Sequence, residues 1–229
     1  MNRQLLHEWD LPYTEAVALQ KKLAGHVSLR PRCSAGIRTV AGVDVSYEKH
    51  GDEFFAGIVV LGLPDFDLVE ERTARARVSF PYIPGLLSFR ELPVLLKAWT
   101  SLEAVPDVVL VDGQGIAHPR RLGLASHLGL WLDLPTVGCA KSRLCGDFEE
   151  PGRRKGSGSP LLLNGERVGT VLRSRDGVRP LFISPGHLMD VASAERIALA
   201  CCARFRQPEP TRLAHLLTNR VRRETAGRE

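Results

Sequence analysis

Three carboxylates stand where a folding chain has little ordinary use for them. Asp44 lies inside the apolar stretch Val40-Ala41-Gly42-Val43-Asp44-Val45-Ser46-Tyr47. Aspartate is depleted in strands and costly to bury unpaired, and nothing nearby in sequence offsets it. Asp112 follows the continuous apolar run Val108–Val111 and precedes Gly113-Gln114-Gly115. Ligand sites of open α/β sheets lie at such strand ends, although Asp before Gly also forms turns. Glu91 falls about one turn into a helix that follows a proline-rich loop, and its spacing from Ser88 also fits a capping box. If the three elements are neighbours, the carboxylates converge on one point. Such a cluster needs a cation to stay ionised. Mg²⁺ fits, with Mn²⁺ as a substitute, because hard ions take carboxylate oxygens and keep several waters.

The elements that must position these groups can be read in outline. Apolar spacing predicts a helix over 13–28. Three strands follow, Thr39 to Tyr47, Phe54 to Leu61 and Leu68 to Phe80, with a turn at His50-Gly51-Asp52-Glu53. They form an antiparallel meander. After the loop Ser79–Gly85, a helix is expected over Ser88 to Leu102, a buried strand at Val108 to Val111, a helix near Arg121–Leu132 and a strand at Thr136 to Ala140. A basic loop over 147–160 leads to a hairpin at Asn164-Gly165 and a turn at Asp176-Gly177. Ser184-Pro185-Gly186 is expected to open a last long helix reaching about Arg206. The fold class is therefore α/β: a mixed sheet with an antiparallel meander and parallel strands, flanked by helices.

At 229 residues, with 44% hydrophobic and 25% charged residues, the chain can bury a core without staples. One domain over 1–229 is expected, ending in a frayed polar tail at about 220–229. No apolar run approaches the ~18–20 residues of a membrane span, and the first ten residues carry no apolar signal core. A cytoplasmic monomer without membrane association is the expectation. The five cysteines include no Cys-x-x-Cys pair, so buried thiols are expected rather than a zinc site. Charge is uneven. Residues 1–150 hold 16 Lys+Arg against 19 Asp+Glu, net −3, and residues 151–229 hold 15 against 7, net +8. A basic half beside an acidic one suits a nuclease, with Arg153-Arg154-Lys155 among the candidate phosphate contacts.

Four blocks in order give the sequence a resemblance to the endonuclease V family of inosine-directed nucleases. They are Val40–Tyr47, then Pro81-Tyr82-Ile83-Pro84-Gly85-Leu86-Leu87-Ser88-Phe89-Arg90-Glu91, then Val111–His127 beginning Val111-Asp112-Gly113-Gln114-Gly115, then Val137-Gly138-Cys139-Ala140-Lys141-Ser142. Ser184-Pro185-Gly186-His187 and Pro210–His215 also look familial. The resemblance implies a ribonuclease H-like fold, with Asp44, Glu91 and Asp112 as the metal-binding set. Lys141 would lie near the metal and the scissile phosphate, and His215 at the edge of that site. Pro81-Tyr82-Ile83-Pro84 would be a wedge inserted where the inosine leaves the helix. Gly85, Leu87, Gly113, His118, Gly123 and Leu124 would build or border the hypoxanthine pocket. The implied reaction is hydrolysis of the second phosphodiester bond 3′ to deoxyinosine in DNA, leaving a 3′-hydroxyl and a 5′-phosphate, in repair of deaminated adenine. Inosine-containing RNA as main substrate remains open, as does a basic nucleic-acid-binding module whose acidic cluster is structural.

Each implied role has a physical rationale. Two prolines fix the wedge backbone and present Tyr82 at low ordering cost. An aromatic ring can replace the stacking lost by an extruded base. Glycines let backbone amides approach a base edge. Amide donors favour the hypoxanthine carbonyl over the adenine amino group, and a wall from Leu87 or Leu124 leaves the guanine amino group no room.

Overall fold

A computed structural model of the chain describes residues 6–32, 36–48 and 51–226. In chain order the elements are α1 (Tyr13–Ala24), β1 (Thr39–Tyr47), β2 (Glu53–Gly62), β3 (Asp67–Arg77), α2 (Leu87–Trp99), β4 (Val108–Val111), α3 (Leu124–Leu132), β5 (Thr136–Ala140), β6 (Gly158–Leu163), β7 (Glu166–Leu172), β8 (Leu181–Pro185), α4 (Val191–Cys201) and α5 (Glu209–Ala226). The eight strands form one sheet in the order β3-β2-β1-β4-β5-β8-β7-β6. The meander β1–β2–β3 is antiparallel, β4 lies parallel to β1 and to β5, and β8 returns antiparallel to β5. The expected mixed sheet is present.

Alternation along β1 divides the core. Val40 packs with Leu110, Val137 and Ala214 under α4 and α5, whereas Ala41 and Val43 pack with Leu92, Leu95 and Leu128 under α2 and α3. Asp44 shares the face of Val40 and Gly42, and so points toward α5. Gly42 is what lets α5 come so close. A Cβ there would lie 2.0 Å from the Pro210 carbonyl carbon. In parallel pairing Val43 sits opposite Val111, which brings Asp44 and Asp112 side by side along two adjacent central strands.

The C-terminal third departs from the sequence expectation. Leu181–Pro185 is the buried strand β8, not the start of a helix. Ser184-Pro185-Gly186 carries helix-opening residues, yet Leu181-Phe182-Ile183 fills the sheet position beside β5, and tertiary pairing wins. The next helix begins after Asp190, whose Oδ1 accepts from Ser193 N at 2.6 Å. It stops at Cys201, and α5 follows separately. That helix runs through 220–226, expected to be a frayed tail, while 227–229 lie outside the described residues. Cys139, Cys145, Cys201 and Cys202 are free thiols, and Cys33 lies outside the described residues. Among the described residues no helix is long and apolar enough to cross a membrane.

Candidate active site

Asp44, Glu91 and Asp112 line one cavity of about 380 Å³ at the ends of β1 and β4 and the start of α2. Sequence places them more than twenty residues apart, and the parallel β1–β4 pair with α2 packed beneath brings them together. Each meets a different environment. Asp44 Oδ2 accepts from Thr218 Oγ1 at 2.8 Å and from His215 Nδ1 at 3.1 Å. Burial pushes the Asp44 carboxyl up and Asp112 adds to the rise, while Thr218 and His215 pull it down. Asp112 Oδ2 is ion-paired with Lys141 Nζ at 2.5 Å. Glu91 is buried, and among the described residues it has no hydrogen bond or ion pair. Burial, with Asp44 and Asp112 as neighbours, pushes it up to about 8. The capping-box alternative is not realised, because Ser88 Oγ bonds His127 Nδ1 at 2.9 Å instead.

As they stand, these side chains line a cavity without closing on a point. Among the described residues, no three His, Cys, Asp or Glu side chains are arranged to hold a metal ion. The reason is visible in their partners: Asp44 is drawn to α5 and Asp112 to Lys141. The donor set nonetheless suits a hard cation. Three carboxylates share one cavity, and the buried Glu91 has no ion pair, with only the Arg90 charge nearby to offset its own in part.

A second cavity, also about 380 Å³, adjoins the first at Leu87, Asp112 and Leu124, which line both. All six expected pocket residues line it: Gly85, Leu87, Gly113, His118, Gly123 and Leu124. Tyr82, Ile83 and Pro84 border it as well, and Pro81 does not. Tyr82 is 64% exposed, ahead of the buried start of α2.

Two of the three glycines have amides already engaged within the protein. The Gly113 and Gly123 amides donate internally, to Val111 O and Gly115 O, both at 2.9 Å. Residues at two helix starts line the cavity as well. Leu87 and Ser88 open α2 and Leu124 opens α3, where the first N–H groups have no intrahelical acceptor. Gly85, at φ +81°, turns the chain into α2, and its carbonyl is held by three donors. Gln20 Nε2 lies at 2.9 Å, His118 Nε2 at 3.1 Å and Arg120 Nη2 at 2.8 Å. His118 Nδ1 accepts from Arg120 N at 3.1 Å, which leaves the ring proton on Nε2. Burial, reinforced by Arg120, lowers His118 to about 4, so the ring is neutral at pH 7.

Sequence reasoning missed Gln20, Thr218, Asn219 and Arg222. Gln20 is buried, bonding Leu122 O at 2.8 Å as well as Gly85 O and the Arg120 guanidinium. In sequence it sits on an amphipathic helix beside two lysines, with no signal to mark it. Of the basic loop, Lys155 is committed internally, its Nζ donating to Cys202 O at 2.6 Å.

Comparison with known proteins agrees with this geometry. An endonuclease V family model matches residues 21–216. Endonuclease V of Methanothrix thermoacetophila is 51% identical over 225 residues, covering 98% of this chain and 99% of that protein. The crystal structure of the Streptomyces avermitilis endonuclease V superposes with a TM-score of 0.91 at 43% identity, covering 99% and 100% of the two chains. Endonuclease V of Ciona intestinalis, crystallised with a 24mer DNA containing an inosine followed by a ribo-adenosine, superposes at 0.81 with 27% identity, over 93% and 98%. The fold is ribonuclease H-like, and the chain belongs to the endonuclease V family of nucleases.

Proposed function

We propose that this protein recognises deoxyinosine in DNA and hydrolyses the second phosphodiester bond on its 3′ side, leaving a 3′-hydroxyl and a 5′-phosphate, in repair of deaminated adenine. The observation that carries the reading is the pair of adjoining cavities, one bordered by helix-start amides and the Tyr82 loop, the other by three carboxylates. A base seated in the first places its 3′ strand at the second. The Ciona relative, crystallised with inosine-containing DNA, supports the substrate class.

The base pocket selects by hydrogen-bond polarity. Helix-start amides present donors to the hypoxanthine carbonyl, and adenine offers an amino donor at that position. Leu87 and Leu124 give an extra amino group on guanine no acceptor. Tyr82 fills the stack that the extruded base leaves. His118, neutral and donating to Gly85 O, holds the pocket edge in place.

At the carboxylate cavity Asp44, Asp112 and Glu91 would hold Mg²⁺, or Mn²⁺ in its place. The ion would neutralise phosphate oxygens and lower the pKa of an attacking water. Thr218 and His215 orient Asp44 through two hydrogen bonds to one oxygen. Lys141 keeps a cation beside Asp112, where negative charge develops in the transition state. The domain spans the whole chain, acting as a monomer in the cytoplasm.

The deciding experiment is a nicking assay on matched duplexes with and without one deoxyinosine, in Mg²⁺ and in chelator. Cutting only of the deoxyinosine strand, only with metal, and immediately 3′ of the inosine's 3′ neighbour is expected. Equal cutting of both duplexes would overturn the base-recognition reading. Binding without cutting in Mg²⁺ would overturn the nuclease reading.

A further inference from the structure

The carboxylate cavity has a fourth charged residue, and it is basic. Arg222 lines the cavity together with Asp44, Glu91 and Asp112. It comes from the second half of α5, beyond residue 216, where the family match ends. His215, Thr218, Asn219 and Arg222 follow at helical spacing, so they form one stripe along α5. The stripe faces β1: Thr218 and His215 bond Asp44, and Ser46 Oγ donates to Asn219 Oδ1 at 3.3 Å. Arg222 continues it toward the cavity mouth.

Its guanidinium is lightly held for a group in such a place. Nη2 donates to Asn219 Oδ1 at 3.2 Å and Nη1 to Tyr47 O at 3.3 Å. Nη1 also lies 3.7 Å from a well-exposed Glu48 carboxylate. The buried Nε–H has no partner, and none of the three cavity carboxylates is ion-paired with the side chain among the described residues. A guanidinium has five donors in a planar fork that matches phosphate geometry. Here part of that fork is unused, in a cavity whose other walls would repel a phosphate.

We infer that Arg222 is a phosphate-binding residue of the nuclease site, contacting a non-bridging oxygen of the strand being cut from the side opposite Lys141's cavity. Asn219 positions it by accepting from Nη2. The inference rests on the proposed nuclease reading for the strand's presence in the cavity. It adds a cation from a part of the chain beyond the span of the family model.

The test reads a quantity that a purely structural role would leave alone. Each phosphate neutralised on a duplex contributes about 0.9 to the slope of log affinity against log salt. Single-turnover kcat/KM on a deoxyinosine duplex is measured from 50 to 200 mM salt for the unmodified enzyme, Arg222→Ala, Arg222→Gln and Arg222→Lys. Arg222→Gln keeps a donor for Asn219 and so guards against a variant that does not fold. Arg222→Ala and Arg222→Gln should both lose about 10- to 100-fold at low salt, as expected for a charge-assisted hydrogen bond, and their slopes should be shallower by about 0.9. Arg222→Lys should restore the slope, with part of the rate. An unchanged slope in the Ala and Gln variants overturns the inference, as does full rescue by glutamine. Failure of the unmodified enzyme to nick the duplex would instead strike the substrate reading. Binding of the same duplex, followed across the same salt range, then decides Arg222 by the same slope criterion.

Discussion

The Lys141 ammonium sits 2.5 Å from Asp112 Oδ2, so the residues that directly follow β5 and β4 meet as an ion pair at the junction of the two cavities. Strand β5 is buried throughout, and Lys141 emerges one residue after it. Its position is therefore set by the sheet rather than by a loop.

That placement makes Lys141→Ala a test of charge stabilisation. Removing one preorganised donor to a developing oxyanion typically costs about 10²–10³ in kcat. The variant should lose that factor in single-turnover nicking while binding the deoxyinosine duplex within a few-fold of the unmodified enzyme. Asp44→Ala and Asp112→Ala should abolish nicking altogether, again with binding largely kept. A Lys141→Ala enzyme that cuts at the normal rate would remove the lysine from the site.

The Gly85 carbonyl predicts a role for Gln20, a residue of α1 that lines the cavity adjoining the carboxylates. Gln20→Ala leaves Leu122 O without the 2.8 Å bond and frees the Arg120 guanidinium from its amide partner. An unsatisfied buried group costs about 1–3 kcal/mol, which chemical denaturation would detect. Because Gly85 turns the wedge loop into α2, the variant should also raise KM for deoxyinosine DNA more than it lowers kcat. A fall confined to kcat would place Gln20's influence elsewhere.

Acid should weaken the fold through His127. This ring is fully buried, with Nε2 2.8 Å from His7 Nε2 and Nδ1 2.9 Å from Ser88 Oγ. Burial, and then the neighbouring His7, hold its pKa well below the ordinary 6.5. Below pH 6.5 the unfolded chain takes up a proton that the folded chain refuses. Stability is thus full above that pH and falls as pH drops below it, by at most about 1.4 kcal/mol per pH unit for this one group. Urea unfolding from pH 7.5 to 5 should show the fall, and His127→Asn should flatten it even though its stability at pH 7.5 is lower. Parallel profiles for the two proteins would assign the acid sensitivity to other groups.

Asp44 and Asp112 were legible because a carboxylate in or after a buried apolar strand contradicts its surroundings, and such contradictions collect at functional sites. Gln20, Asn219 and Arg222 were not, because a polar residue on an amphipathic helix has the same local pattern whether it faces solvent or a cavity. The close approach of α5 to Gly42 makes the difference for Asn219 and Arg222, and the bonds to Gly85 and Leu122 make it for Gln20; both are tertiary facts. The meander and β4 and β5 were readable from continuous or alternating apolar runs. Strand β8 was hidden because Ser184-Pro185-Gly186 carries a helix-start signal that sheet pairing overrides. Gly113 and Gly123 line the second cavity, but their amides turn inward to Val111 and Gly115, a pairing that no local pattern announces.

Tyr82 separates the wedge from the chemistry. It is 64% exposed and borders the base pocket, while Glu91 lies buried further along α2. The ring is therefore free to stack where a base has left the helix, without touching the carboxylates. Base stacking on an aromatic side chain is worth about 1–3 kcal/mol by truncation, or about 5- to 150-fold in an equilibrium. Tyr82→Ala should weaken binding to duplex deoxyinosine DNA by a factor in that range. On single-stranded substrate less stacking has to be replaced, so the loss should shrink. Metal dependence should not change, because the carboxylate cavity is intact. Cutting of single-stranded and duplex substrates, measured side by side below saturation, decides the point. An equal loss on both would make Tyr82 a prop for the start of α2 rather than a wedge.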